Sequence, residues 1–142
     1  MIHRTVHLLV VEDDAVDLMA IRRGFDSLRL ANPVRIAHDG IEALEWLRGE
    51  NGREKLPRPH LILLDLQMPR MNGLEFLAAL RADPALADSV VFVLTTSKFD
   101  EDITAAYRHH IAGYIVKGTL ADEFLGVVNL LEASWRIVEL PA

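Results

Sequence analysis

Unbroken apolar runs punctuate the chain: VHLLVV at 6–11, VRIAH at 34–38, HLILLD at 60–65, VVFVLT at 90–95 and GYIVK at 113–117. Runs this short, rich in Val, Ile and Leu and without strict alternation, are the pattern of strands buried on both faces. The segments between and after them space their apolar residues at helical intervals: Val16, Met19 and Phe25; Ile41, Leu44 and Leu47; Leu74, Leu77 and Leu80; Ile103, Ala106 and Tyr107; Phe124, Val127, Leu131 and Trp135. Asp39 with Glu42 and Asn72 with Glu75 stand at capping-box spacing, and Thr119 with Asp122 is a weaker variant. Strand and helix therefore alternate five times. Short βα connections force parallel strands with right-handed crossovers, so the expected fold is α/β, a doubly wound (βα)5 five-stranded parallel sheet.

One connection is long. RGENGREKLPRPH, 48–60, is polar, rich in Gly and Pro and without apolar period, and it reads as a surface loop, a tolerated insertion. The expected layout is one domain over 1–142, with its core at 5–138 and a tail at 139–142. The fifth helix takes up 119–138, which leaves no room for an attached output domain. The six histidines read as surface residues, and Trp46 and Trp135 as packing in their helices' apolar stripes.

The strand ends carry the chemistry. The first strand delivers Glu12, Asp13 and Asp14, the third Asp65, the fourth Thr95, Thr96 and Ser97, and the fifth Lys117. In a doubly wound sheet ligands bind beyond the carboxyl ends of the strands, so these residues converge on one crevice. Several carboxylates brought together there raise one another's pKa unless a cation intervenes, and an all-oxygen donor set suits Mg²⁺ or Mn²⁺. A metal site by itself requires neither the Lys117 ammonium nor the Thr95 hydroxyl. A dianionic phosphoryl group uses both, with the Asp65 carboxylate as its nucleophilic acceptor. Asp14, following the acidic pair, reads as the cap of the first helix.

Bulk properties narrow the function further. With 142 residues, 51% of them hydrophobic and 25% charged, the chain has the composition of a soluble globular domain. A net charge of −6 argues against a nucleic-acid surface. The absence of cysteine excludes disulfides and thiolate metal sites and fits a cytoplasmic location. The apolar run Leu8–Val11 is too short for a signal peptide or a membrane span.

The acidic pair in VVEDD, the aspartate in LLDLQMPRMNG, the hydroxyl in VLTTS and the lysine in YIVKG, in that order, resemble a response-regulator receiver domain, the CheY-like phosphoacceptor of two-component signalling. The resemblance covers essentially the whole chain. It implies Asp65 as phosphoacceptor and a metal held by Asp13, Asp65, the backbone carbonyl of Gln67 and, through water, Glu12. It also implies a switch in which Thr95 is drawn towards the phosphoryl group and Tyr114 turns inward, while Gln67, Ser97 and the bulkier Thr96 influence acyl-phosphate lifetime. Lys117 is followed by Gly118 where many receivers have proline, which disfavours a cis peptide there. The 48–60 insertion, the TTSKFDED segment and the LPA tail are similar to the small regulators paired with bacterial phytochromes. On that likeness the partner is a sensor histidine kinase of the phytochrome class, and the chain is not an enzyme acting on a separate substrate.

Other readings fit less well. A Mg²⁺-dependent aspartyl-phosphate phosphatase usually has a second acid where this chain has Gln67, and a cap domain. An FMN site requires backbone N–H groups and hydroxyls at the first strand's end, not three acids. A degenerate, phosphate-independent module would usually have lost a key residue, and none is lost. Finally, Leu125, Leu130, Ile137 and Leu140 lie outside the last helix's apolar stripe, more apolar surface than one sheet covers, and read as a homodimer face.

Overall fold

The computed structural model describes residues 5–27, 29, 31–95 and 101–117. Five strands, β1 (His7–Val11), β2 (Val34–Ala37), β3 (His60–Asp65), β4 (Val90–Thr95) and β5 (Gly113–Val116), alternate with α1 (Ala15–Ser27), α2 (Gly40–Arg48), α3 (Gly73–Ala82) and α4 (Glu101–Tyr107). All pairings are parallel, in the order β2-β1-β3-β4-β5. This is the expected doubly wound sheet, and its strands agree with the apolar runs to within one residue at either end. The chain reverses direction of travel between β1 and β3, so a crevice opens beside their carboxyl ends.

Both sheet faces are buried, which explains the unbroken apolar runs. Leu9, Val11, Ile62, Leu64, Val91 and Val93 join the core beneath α2, α3 and α4, where Phe76, Leu77 and Leu80 are wholly buried. Their neighbours Leu8, Val10, Leu61, Leu63, Phe92 and Leu94 point the other way and pack with Ile21 and Phe25 of α1. Each such side chain withdrawn from water contributes about 1.5–3 kcal/mol before the entropy of ordering is subtracted.

Local capping fixes where helices start. Asn72 and Glu75 form a reciprocal capping box. Asp39 accepts from the Glu42 amide at 2.9 Å, but the Glu42 carboxylate turns to His38, so that box is only half made. Asp14 caps α1, accepting from the Val16 amide at 2.8 Å and the Asp17 amide at 3.2 Å.

Several expectations are corrected. The buried face of α1 is carried by Ile21, Gly24 and Phe25, whereas Val16 and Met19 are 73% and 54% exposed. Those two lie on the side of the helix opposite Ile21, whereas Leu18 in the same turns packs against the core. Ile41 and Tyr107 are likewise exposed. The 48–60 segment has no helix or strand between Arg48 and His60 and is mostly exposed, as a surface loop should be, but it is anchored at several points. Gly49, at φ +70°, ends α2, and Leu56 is buried with its amide on the Trp46 carbonyl at 2.9 Å. The Arg58 guanidinium ties the segment to the Ala85 carbonyl at 3.1 Å and to the Asp88 carboxylate. One apolar anchor leaves no period to read. His60 is buried, its Nε2 2.9 Å from the Ser89 hydroxyl, because β3 begins inside the sheet. Trp46 does pack half-buried against the core, as expected, with Arg35 and Arg53 each 4.8 Å from its ring. The fifth helix, its Thr119–Asp122 cap, Trp135 and the apolar residues assigned to a dimer face lie outside the described residues, as do Thr96, Ser97 and the peptide after Lys117.

Candidate phosphoryl and metal site

β1 continues its ladder one residue past Val11, since the Glu12 amide donates to the Ala37 carbonyl at 2.9 Å. That holds Glu12 rigidly at the crevice, fully buried, with Asp13 next to it and exposed. Asp65 is the last residue of β3, paired with Leu94, and only 7% exposed. Thr95, closing β4 opposite Val116, is 3% exposed, and Lys117 follows the end of β5. Register therefore delivers four strand ends to one place. Glu12, Asp13, Asp17, Asp65, Thr95 and Lys117 line a single cavity of about 210 Å³.

Carboxylate oxygens of Glu12, Asp13 and Asp65 all lie within 4.8 Å of one another. Three hard oxygen donors converging at that spacing, two of them from buried residues, fit a small divalent cation better than any arrangement of the acids alone. Burial and the neighbouring Asp65 charge push the Glu12 carboxyl up to about 7, although Lys117 draws it down. Asp65 is raised as well, chiefly by burial, with Lys117 and the Gln67 amide opposing. That amide reaches Asp65 Oδ1 at 3.2 Å, and the Gln67 side chain extends outward to donate to Asp102 of α4 at 2.6 Å.

Lys117 sits among the acids, its Nζ 2.9 Å from Glu12 Oε2 and 3.7 Å from Asp65 Oδ1. Burial alone would lower its pKa, but the hydrogen bond to Asp17 and the Glu12 and Asp65 charges raise it, favouring the ammonium. Asp17 Oδ2 lies nearest of all, at 2.7 Å. Sequence reasoning missed this residue. The available signal was its place in the first turn of α1, three residues after the cap, where side chains lean back towards the strand ends. Tyr114, by contrast, is 37% exposed on β5 and is not among the residues lining the crevice.

Residues 8–129 match the response regulator receiver domain family, and the chain belongs to that family. It is 34% identical to the response regulator Rcp1 of Synechocystis sp. over 136 residues, 95% of this chain and 92% of that one. The Mn²⁺-bound form of Rcp1 superposes with a TM-score of 0.73, covering 96% of this chain and 99% of the other at 34% identity. The phosphorylated cyanobacterial phytochrome response regulator RcpA gives 0.75 at 34% identity over 96% and 98% of the two chains. The bacteriophytochrome response regulator RtBRR gives 0.79 at 31% identity over 99% and 85%. The chain is thus a CheY-like receiver similar to phytochrome response regulators. Among the described residues, no helix is long and apolar enough to cross a membrane.

Proposed function

We propose that this protein is a response regulator in which Asp65 accepts a phosphoryl group from a sensor histidine kinase and thereby switches a protein-binding surface. The observation that carries the proposal is the convergence of Asp65 with two further carboxylates within 4.8 Å and with an ammonium at 3.7 Å. In the transfer, an Asp65 oxygen forms a bond to phosphorus as the donor's P–N bond breaks, and the donor imidazole leaves with the electron pair. Lys117 and Thr95 stabilise the phosphoryl oxygens. Asp13, Asp65, the Gln67 carbonyl and, through water, Glu12 would hold Mg²⁺ or Mn²⁺. A bound divalent cation lets the acids stay ionised side by side and neutralises phosphoryl charge.

The similarity to phytochrome response regulators supports a phytochrome kinase as donor. No separate substrate is turned over in this reading, the only further reaction being hydrolysis of the chain's own acyl phosphate. The protein acts in the cytoplasm without nucleic acid or membrane, with residues 1–142 forming one receiver domain. It pairs with a second copy through the fifth helix and tail.

Acetyl phosphate, with and without Mg²⁺, tests the central step by intact mass. The expected result is a Mg²⁺-dependent gain of one phosphoryl group by the wild type and none by Asp65→Asn. Equal labelling of both proteins, or no labelling of the wild type, overturns the assignment.

A further inference from the structure

Lys117 has three carboxylates within reach and is shared unequally among them: 2.7 Å to Asp17, 2.9 Å to Glu12 and 3.7 Å to Asp65. An ammonium has three N–H donors in tetrahedral directions. One of these is taken by Asp17, Glu12 Oε2 is held as an ion pair, and the distance to Asp65 exceeds a hydrogen bond. The lysine that must meet the incoming phosphoryl group is thus docked on an acid outside the phosphoacceptor set, contributed by the first turn of α1.

The two close partners differ in how readily they let go. Glu12 is fully buried and fixed by the β1 ladder, and it cannot exchange Lys117 for water without leaving a charge stranded. The Asp17 side chain is 32% exposed, so water takes the place of the ammonium when it departs. One contact is permanent and the other is releasable.

We propose that Asp17 is a positioning residue which holds Lys117 away from Asp65 in the resting protein and thereby slows phosphoryl acceptance. The inference rests on the reading of Asp65 as phosphoacceptor. During transfer from acetyl phosphate, an Asp65 oxygen bonds to phosphorus while the P–O bond to acetate breaks, and acetate leaves with the electron pair. Lys117 exchanges Asp17 for a phosphoryl oxygen in that step, and the loss of the Asp17 contact is part of the barrier.

The test is the second-order rate constant for acetyl phosphate in saturating Mg²⁺, followed by intact mass on the wild type, Asp17→Asn, Lys117→Gln and the double variant. Asp17→Asn is expected to be phosphorylated about five-fold faster than the wild type, the factor given by roughly 1 kcal/mol for a partly exposed ion pair. The acceleration should vanish in the Lys117→Gln background, because the two residues act through one contact. An unchanged or slower Asp17→Asn overturns the proposal. So does an equal acceleration in both backgrounds, which would mean general relief of negative charge at the crevice. If Asp17→Asn does not fold, Asp17→Ser is read in the same way. Failure of the wild type to be labelled removes the phosphoacceptor reading itself, and is distinct from a labelled wild type that Asp17→Asn merely equals.

Discussion

Gly73 lies so close beneath the end of β3 that a Cβ on it would stand 2.7 Å from the Asp65 carbonyl oxygen and 2.6 Å from the Leu66 Cα. The Gly73 amide also donates to the Leu66 carbonyl at 3.1 Å, which locks the two segments at this spacing. Both obstructing atoms are backbone, so no side chain can rotate to make room. Gly73→Ala should therefore lower stability by about 3 kcal/mol, the upper end of overpacking costs, and displace Asp65 enough to slow its phosphorylation. Gly40→Ala should cost less, since two of its three nearest atoms belong to the flexible Met71 side chain. Urea unfolding of the two variants checks this, and equal midpoints would contradict it.

His60 should make the protein acid-sensitive. Burial, together with Arg58 and His7 and against the opposing Asp88 charge, lowers its pKa from 6.5 to about 4. Between those values the unfolded chain binds the proton more readily than the folded one. The stability His60 supports is therefore fully present above pH 6.5 and lost as the pH falls towards 4. Between pH 7 and pH 5 the loss is about 2 kcal/mol. The raised Glu12 pKa works in the opposite direction, so the decisive quantity is the difference between wild type and His60→Asn, which retains a polar group for Ser89. Parallel stability–pH curves for the two proteins would refute the prediction.

Removing the ammonium from the crevice should destabilise the metal-free protein. Lys117→Gln leaves Glu12 and Asp65 facing each other without a counter-charge, at a cost of about 3 kcal/mol. Millimolar Mg²⁺ should restore most of that loss in the variant and stabilise the wild type less, because the cation substitutes for the missing charge. Denaturation with and without Mg²⁺ measures both, and a variant indifferent to Mg²⁺ would place the cation elsewhere.

Asp13 is exposed and forms no salt bridge among the described residues, so its replacement by asparagine should leave the fold intact. Its expected role is entirely in the metal site. Asp13→Asn should weaken Mg²⁺ binding by more than the roughly ten-fold loss that even outer-shell partners cause. Calorimetric titration checks this, with unaltered affinity as the contrary result.

Fold and strand-end chemistry were legible because they depend on local pattern. Apolar runs such as Ile62–Leu64 record double burial directly, and a residue at a strand's end, such as Asp65 or Lys117, has its destination set by topology. The Asp17 partnership was not legible, because it joins residues 100 positions apart through side-chain reach. Arg81 was hidden for the same reason. Its guanidinium binds the carbonyls of Ala87, Ser89, His109 and His110, pinning the turns on either side of β4 and α4, and no spacing rule reveals such a clamp. Val16 and Met19 misled because two apolar residues at helical spacing can share the outer face, while Leu18 between them packs on the core.

The bridge from the Gln67 amide group to Asp102 gives one residue two duties. Its main chain faces the crevice where an ion would sit, and its side chain grips the first turn of α4. A cation that draws the Gln67 carbonyl inward would tug on that grip before any phosphodonor arrives. The position of α4 would then depend on the supply of the cation as well as on the phosphoryl group, so the resting state of this face would differ between metal-poor and metal-rich surroundings.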